Sequence, residues 1–354
     1  MLSQMKYDIH TLKNGLRVVL APMPDTKTAT VVVMSGTGSR YESERENGLA
    51  HFLEHMFFKG TNKRSSARSI SEELDAIGSV YNAFTSKERT AYYAKVSSPY
   101  FDTALDVICD IFLNSTLPTK EITKERGAII QEIDMYEDMP MRIVDNVFDA
   151  LIFGKEHPLG RTILGPKENI RAFGRKDFTE YLKRIYTPAN IVVCVAVSFS
   201  YAKVLTKIKR EFSRLKAVSA PIYAPFSSVQ TSPRVAIREK KTDQTQLMLG
   251  VPAYPYLHKD EMTLAVLATI LGGGMSSRLF LEIREKRGLA YSVHAWADKY
   301  PDTGYFVVQA GVEHGKLEKT IETILAEFKK IKRTKVSKTE LEKAKSFIKG
   351  TLTL

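Results

Sequence analysis

Short runs of Val, Leu and Ile divide this chain into strand-sized pieces. Between them lie longer stretches whose apolar residues return at helical spacing. Residues 17–21 and 29–34 are rich in Val and Leu and read as strands. Residues 48–58 are amphipathic at a helical period, and 66–77 predict a second helix that Gly78 stops. Residues 80–84 and 90–96 predict a hairpin turning over Thr85 to Glu88. Longer helices follow at 100–113 and 119–137, with Pro118 just ahead of the second and Pro140 just past its end. Helices at 144–153, 176–185 and 202–214, with a strand at 191–197, complete the first half.

Pro, Ser and Ala gather over 216–233, a composition that suits a linker. It separates a first domain, 1–215, from a second, 234–354. The second begins as the first does, with strands at 234–237 and 246–250 and a helix at 262–271. That helix, Leu264-Ala265-Val266-Leu267-Ala268-Thr269-Ile270-Leu271, carries no metal-ligand types. Two related domains, of which the first alone holds chemistry, is the economical reading, and 354 residues is a natural length for two.

Composition narrows the class only a little. With 44% hydrophobic and 26% charged residues the chain has ample material for sizeable cores. The net charge of +12 comes from Lys and Arg scattered along the chain, which reads as solvated helix faces and not as a nucleic-acid surface. Cys109 and Cys194 both sit in apolar contexts and read as buried, reduced thiols. The start of the chain has no signal- or transit-peptide layout, and no apolar run reaches membrane-spanning length. A cytoplasmic protein with no membrane partner is expected.

The chemistry concentrates at His51-Phe52-Leu53-Glu54-His55, an H-x-x-E-H pattern. On a helix, positions i and i+4 share a face, so both imidazoles can point at one ion. Glu54, directly before the second histidine, is close enough to reach a water beside that ion. Neutral nitrogen ligands, an open position for water and a nearby carboxylate are the parts zinc-assisted hydrolysis needs. H-x-x-E-H is the inverted form of the commoner zinc-protease signature.

The surroundings of this motif carry a family resemblance. Asn14-Gly15-Leu16-Arg17-Val18-Val19, Gly38-Ser39-Arg40-Tyr41-Glu42, Asn47-Gly48-Leu49-Ala50 running into the motif, Asn82-Ala83-Phe84-Thr85-Ser86-Lys87-Glu88 and Arg284-Glu285-Lys286-Arg287-Gly288-Leu289-Ala290-Tyr291 occur in order over the whole length. Together they resemble the pitrilysin/insulinase family of zinc metallopeptidases, which includes the mitochondrial processing peptidase. The resemblance implies an α+β fold of two homologous domains, each a mainly antiparallel sheet packed by helices, facing each other around a chamber.

By the same resemblance Glu132 is the third zinc ligand beside His51 and His55. Glu125, seven residues earlier on the same helical face, holds a histidine ligand. Relatives often have an acid where this chain has Gln131, which leaves Glu132 the single candidate at that place. Glu54 is the general base, and the implied activity is zinc-dependent endopeptidase action on extended or unfolded peptides, with one Zn²⁺ per chain. Arg284 and Tyr291, seven residues apart, match a pair that serves substrate binding and transition-state stabilisation. Asn82 and Ala83 match an edge strand to which extended peptide adds. Pairing with a second copy, or with a related subunit, is also implied.

Two other readings remain at this level. A non-peptidase subunit that only binds peptides would lack part of the zinc set, and His51, Glu54, His55 and Glu132 are all here. A basic nucleic-acid-binding protein has only the charge in its favour. Gly272-Gly273-Gly274 lacks the phosphate-loop pattern and reads as the end of a helix. Residues 350–354 fall inside a helix starting near Ser337, where members of this type continue for further turns, so the second domain reads as truncated at its end.

Overall fold

The computed structural model of the chain describes residues 7–199, 202–227 and 230–353. Alternation of buried apolar residues with half-buried neighbours makes β2 (Arg17–Pro22) and β3 (Thr28–Ser35), and the mostly exposed β1 (Asp8–Thr11) pairs with β2. The helices α1 (Leu49–Phe57) and α2 (Ala67–Asp75) precede the hairpin β4 (Val80–Thr85) and β5 (Thr90–Ser97). Next come α3 (Phe101–Asn114), α4 (Thr119–Glu137), α5 (Pro140–Phe153), α6 (Lys167–Ala172), α7 (Arg175–Ile185), β6 (Ile191–Val197) and α8 (Ala202–Phe212). After an irregular stretch follow β7 (Thr245–Ala253), α9 (Glu261–Gly272), a π-helical turn Phe280–Glu285, β8 (Ala290–Lys299), β9 (Gly304–Val312), α10 (Leu317–Arg333) and α11 (Lys338–Thr353). Among the described residues no helix is long and apolar enough to cross a membrane.

These elements form two compact units. The first, Met1–Met135 with Glu156–Ala224, is built on a six-stranded sheet in the order β1-β2-β6-β3-β5-β4. All its pairings are antiparallel except β2 with β6. Its core joins the inward faces of the sheet (Val18, Val31, Val33, Val193) to α1 and α3 (Phe52, Phe57, Ile108, Phe112). The second unit, Tyr136–Lys155 with Pro225–Leu354, has an antiparallel three-stranded sheet, β7-β9-β8, with its own core.

The repeat seen in the sequence is repeated in the pairing order. β3-β5-β4 in the first unit corresponds to β7-β9-β8 in the second, and the first α-helix after the leading strand is α1 in one and α9 in the other.

Two boundaries differ from those drawn on the sequence. Residues 136–155, assigned by their place in the chain to the first domain 1–215, group with the second unit. The buried face of α5 explains this: Phe148 lies against Gly250 of β7, where a side chain would collide with the ring, and Phe153 packs on Tyr300 and Tyr305. The expected strand at 234–237 does not form. Its counterpart β2 is held by β6, and no equivalent of β6 stands beside β7 among the described residues, so the segment has no strand to pair with. Within 216–233, the first part is tied to the first unit, where Thr187 donates to the Ser219 carbonyl and Arg40 to that of Ala224. Phe226, just beyond, donates its amide to Asp302 of the second unit.

Candidate metal centre

The helix that carries the motif is fixed before it begins. Gly48 caps α1 in a left-handed conformation, φ 102°. The buried Glu42 carboxylate accepts the amides of Gly48 at 2.9 Å and Ala50 at 2.6 Å, and the Asn47 side chain at 3.1 Å. It thereby satisfies N–H groups that a helix start leaves open. Leu49, Phe52, Leu53, Met56 and Phe57 are buried in the core. That burial fixes the rotation of α1 and presents His51, Glu54 and His55 together.

The two imidazoles lie 4.7 Å apart between ring centres. From α4, Glu132 brings Oε2 to 3.5 Å from His51 Nε2 and 3.6 Å from His55 Nε2. The three donor atoms can all lie within 4.8 Å of one another, and this is the one His/Cys/Asp/Glu set of that kind among the described residues. Ligands bonded to zinc at 2.0–2.2 Å in a tetrahedral shell stand roughly 3.3–3.5 Å apart. The spacings to Glu132 match that shell and are too long for hydrogen bonds of good geometry. The buried Nδ1 of His51 has no hydrogen-bond partner among the described residues. The donor set, two imidazoles and one carboxylate, is one of the usual three-ligand sets of catalytic zinc. These residues fit a zinc ion.

The electrostatics point the same way. Burial, and then the neighbouring His55, push His51 down to about 3, so its ring is the neutral ligand form. His55 is drawn the other way: burial lowers it, but the Glu125 hydrogen bond, then the charges of Glu125, Glu54 and Glu132, more than offset that. Three carboxylates therefore surround His55, a setting that favours a cation. Glu125 Oε1 lies 2.9 Å from His55 Nδ1. Burial raises Glu125, yet hydrogen bonds from His55 and Lys59 bring it down to about 2. An ionised Glu125 can only accept, so His55 donates from Nδ1 and keeps Nε2 free to face Glu132.

Glu54 sits mostly buried beside this cluster, and burial, with the charge of Glu132, raises its pKa. Thr85, at the end of β4, donates its hydroxyl to Glu54 Oε2 at 2.6 Å. The sequence reading missed Thr85, Glu42 and Lys59 as contributors, because each lies outside the H-x-x-E-H pattern. Lys59, four residues beyond His55, was the one helical spacing could have flagged.

The remaining expected site residues fall in two places. Asn82 and Ala83 lie on β4, which is the last strand of its sheet and packs beside α1. Asn82 Oδ1 accepts the Ala83 amide at 2.8 Å, so an edge donor is met by the strand's own side chain. Arg284 and Tyr291 belong to the second unit and lie together, the guanidinium 4.6 Å from the tyrosine ring centre. Arg284 is the next-to-last residue of the π-helical turn, and Tyr291, second in β8, has 74% of its surface exposed. Single π turns often mark functional positions.

Comparison with known proteins decides the family. Residues 17–167 match the family model described as Insulinase (Peptidase family M16), and residues 172–348 match the one described as Peptidase M16 inactive domain. An uncharacterized zinc protease of Bacillus subtilis, YmxG, is 39% identical over 347 residues, covering 98% of this chain and 83% of that protein. The chain belongs to peptidase family M16. An uncharacterized zinc protease of Rickettsia felis is 37% identical over the same length and coverage. Among solved structures, a protease from Helicobacter pylori superposes with a TM-score of 0.90 at 28% identity, over 98% of this chain and 85% of that one. An M16 inactive-domain structure from Pseudomonas fluorescens shares the fold at a TM-score of 0.89 and 18% identity, over 98% and 84%. The metal-ligand set lies within the residues matched by the first M16 model, and α9, within the second, carries no such set.

Proposed function

We propose that this M16 protein is a zinc metalloendopeptidase acting on extended or unfolded peptides. His51, His55 and Glu132 hold one zinc per chain, and Glu54 is the general base. The observation that carries this reading is the convergence of two imidazole Nε2 atoms on one Glu132 oxygen, with Glu54 beside them. Family membership and the names of the relatives support it.

Zinc bound there supplies Lewis-acid activation of a water and of the scissile carbonyl. The chain's own residues do the rest. Thr85 anchors one oxygen of Glu54 and leaves the other to take a proton from the attacking water. Burial keeps that carboxyl's proton affinity above the ordinary carboxylate range, so it can hold the proton and then release it to the leaving amine. The free edge of β4 at Asn82 and Ala83 is suited to an added strand of substrate, whose main chain would replace the Asn82 side chain at the Ala83 amide. Arg284 and Tyr291 are assigned to substrate binding and to the developing oxyanion.

Metal analysis of the purified protein, together with cleavage of a quenched fluorescent peptide, tests the reading. Wild type should carry zinc and cleave. Glu54→Gln should keep zinc and lose turnover by about 100-fold or more, and His51→Ala should lose the metal. A zinc-free wild type, or one no faster than Glu54→Gln, would overturn the proposal in favour of a subunit that binds peptide without cutting it.

A further inference from the structure

The metal centre offers two glutamates on the same face of α4, Glu125 and Glu132, and only one of them faces both Nε2 atoms. What separates their roles is a third residue. Lys59 Nζ lies 2.6 Å from Glu125 Oε2, while Glu125 Oε1 is 2.9 Å from His55 Nδ1. Both oxygens of Glu125 are therefore engaged, one by the ring and one by the ammonium. Glu132 instead faces only the two imidazole Nε2 atoms, at 3.5 and 3.6 Å, and no hydrogen-bond donor to it is found among the described residues. Lys59 lies one helical turn past His55, where the chain leaves α1, and its own amide still bonds back to the Met56 carbonyl. A single short stretch of backbone thus sets both ends of the row Lys59–Glu125–His55.

We propose that Lys59 is a positioning residue for the metal centre: its ammonium locks Glu125 in the rotamer that orients His55 and keeps Glu125 from turning inward to compete with Glu132. The inference rests on the zinc reading above and adds a residue to it. The physical reasons are two. The carboxylate is 9% exposed, and a buried carboxylate with one oxygen unmet would rotate toward any cation nearby. Partners that fix the outer nitrogen of a metal-binding histidine set its tautomer and ring orientation, and losing one commonly costs 10–100-fold in metal affinity. Glu125 supplies that partner, and Lys59 fixes Glu125 by a charge-assisted bond of the short, strong kind.

The test is zinc affinity of the full chain, by competition with a chromophoric chelator, alongside the visible absorption spectrum of the Co²⁺-loaded protein. Lys59→Met keeps the aliphatic stem and removes the charge. It should weaken zinc binding about 10-fold and change the cobalt spectrum, while the melting temperature of the metal-free protein stays close to wild type. Lys59→Arg should restore both affinity and spectrum. In a Glu125→Gln background, Lys59→Met should add almost nothing, since the two act through one contact.

Wild-type affinity and an unchanged spectrum in Lys59→Met would overturn the proposal, as would a Lys59→Met effect that persists in full without the Glu125 carboxylate. His51→Ala is run in the same titration to separate this proposal from the zinc reading. If wild type binds no more zinc than His51→Ala, the metal site itself fails and the role of Lys59 falls with it. If His51→Ala loses zinc and Lys59→Met does not, only the role of Lys59 fails.

Discussion

The residues that build the centre divide into those a spacing rule finds and those it does not. His51, Glu54 and His55 follow from helical geometry alone, because i and i+4 share a face whatever the helix packs on. Glu42 does not, since it lies six residues before the helix cap and reaches back only because the loop between them folds over. Its full burial makes it titrate unusually: burial pushes it up to about 7, against the pull of the Ala50, Gly48 and Asn47 donors. A carboxyl that holds its proton more tightly when folded lends stability that is complete below its ordinary value of 4.5. That contribution is lost as the pH rises through about 7. Urea midpoints of wild type should therefore fall between pH 4.5 and 7 relative to Glu42→Gln. Parallel profiles for the two proteins would show that folding leaves the proton affinity of Glu42 unchanged.

At the scale of elements, the decisive one is α1, a helix of nine residues whose orientation is set by burial. Its start is held open by Gly48, where the left-handed backbone and the space both exclude a side chain. A Cβ there would stand 2.5 Å from the Leu164 carbonyl oxygen and 2.9 Å from Ile170 Cδ1. Gly48→Ala should cost about 2–3 kcal/mol by strain and displacement together, read from denaturant unfolding. It should also weaken zinc binding, because His51 sits in the first turn. Unchanged stability would mean the loop carrying Leu164 gives way freely.

Other elements show where pattern reading stops. α4 and β6 form over the residues marked for them, since a long helical stretch and a run of Val and Ile whose alternate residues are buried leave little choice. Residues 234–237 have the apolar alternation of a strand yet form none, because a strand exists only with a partner to pair with. Conversely β1, four residues with little apolar character, is a strand because β2 offers it an edge.

For the whole molecule, the duplication was legible in the order of elements, and the structure adds that the strand pairing repeats too. The division of labour between units yields the last prediction. If Arg284 and Tyr291 serve the substrate, Arg284→Ala should lower peptide turnover at least about 10-fold and leave zinc content untouched. Loss of zinc in that variant would instead make Arg284 a structural support, and wild-type turnover would remove it from the mechanism.

The sequence by itself determined the identities and spacing of the chemistry: a helix with two histidines and a carboxylate on one side, an acid pair one heptad apart on a second helix, and a repeat lacking both. These are local properties, fixed by backbone periods of 3.6 and 2 that act within a few residues. Tertiary structure decided which carboxylate faces both imidazoles, which one is tied off by Lys59, and that Thr85 and Glu42 serve a helix they do not belong to. It also moved α5 into the second unit. Such choices depend on contacts between segments tens of residues apart, where burial and the pairing of every buried polar group, not the spacing along the chain, set the outcome.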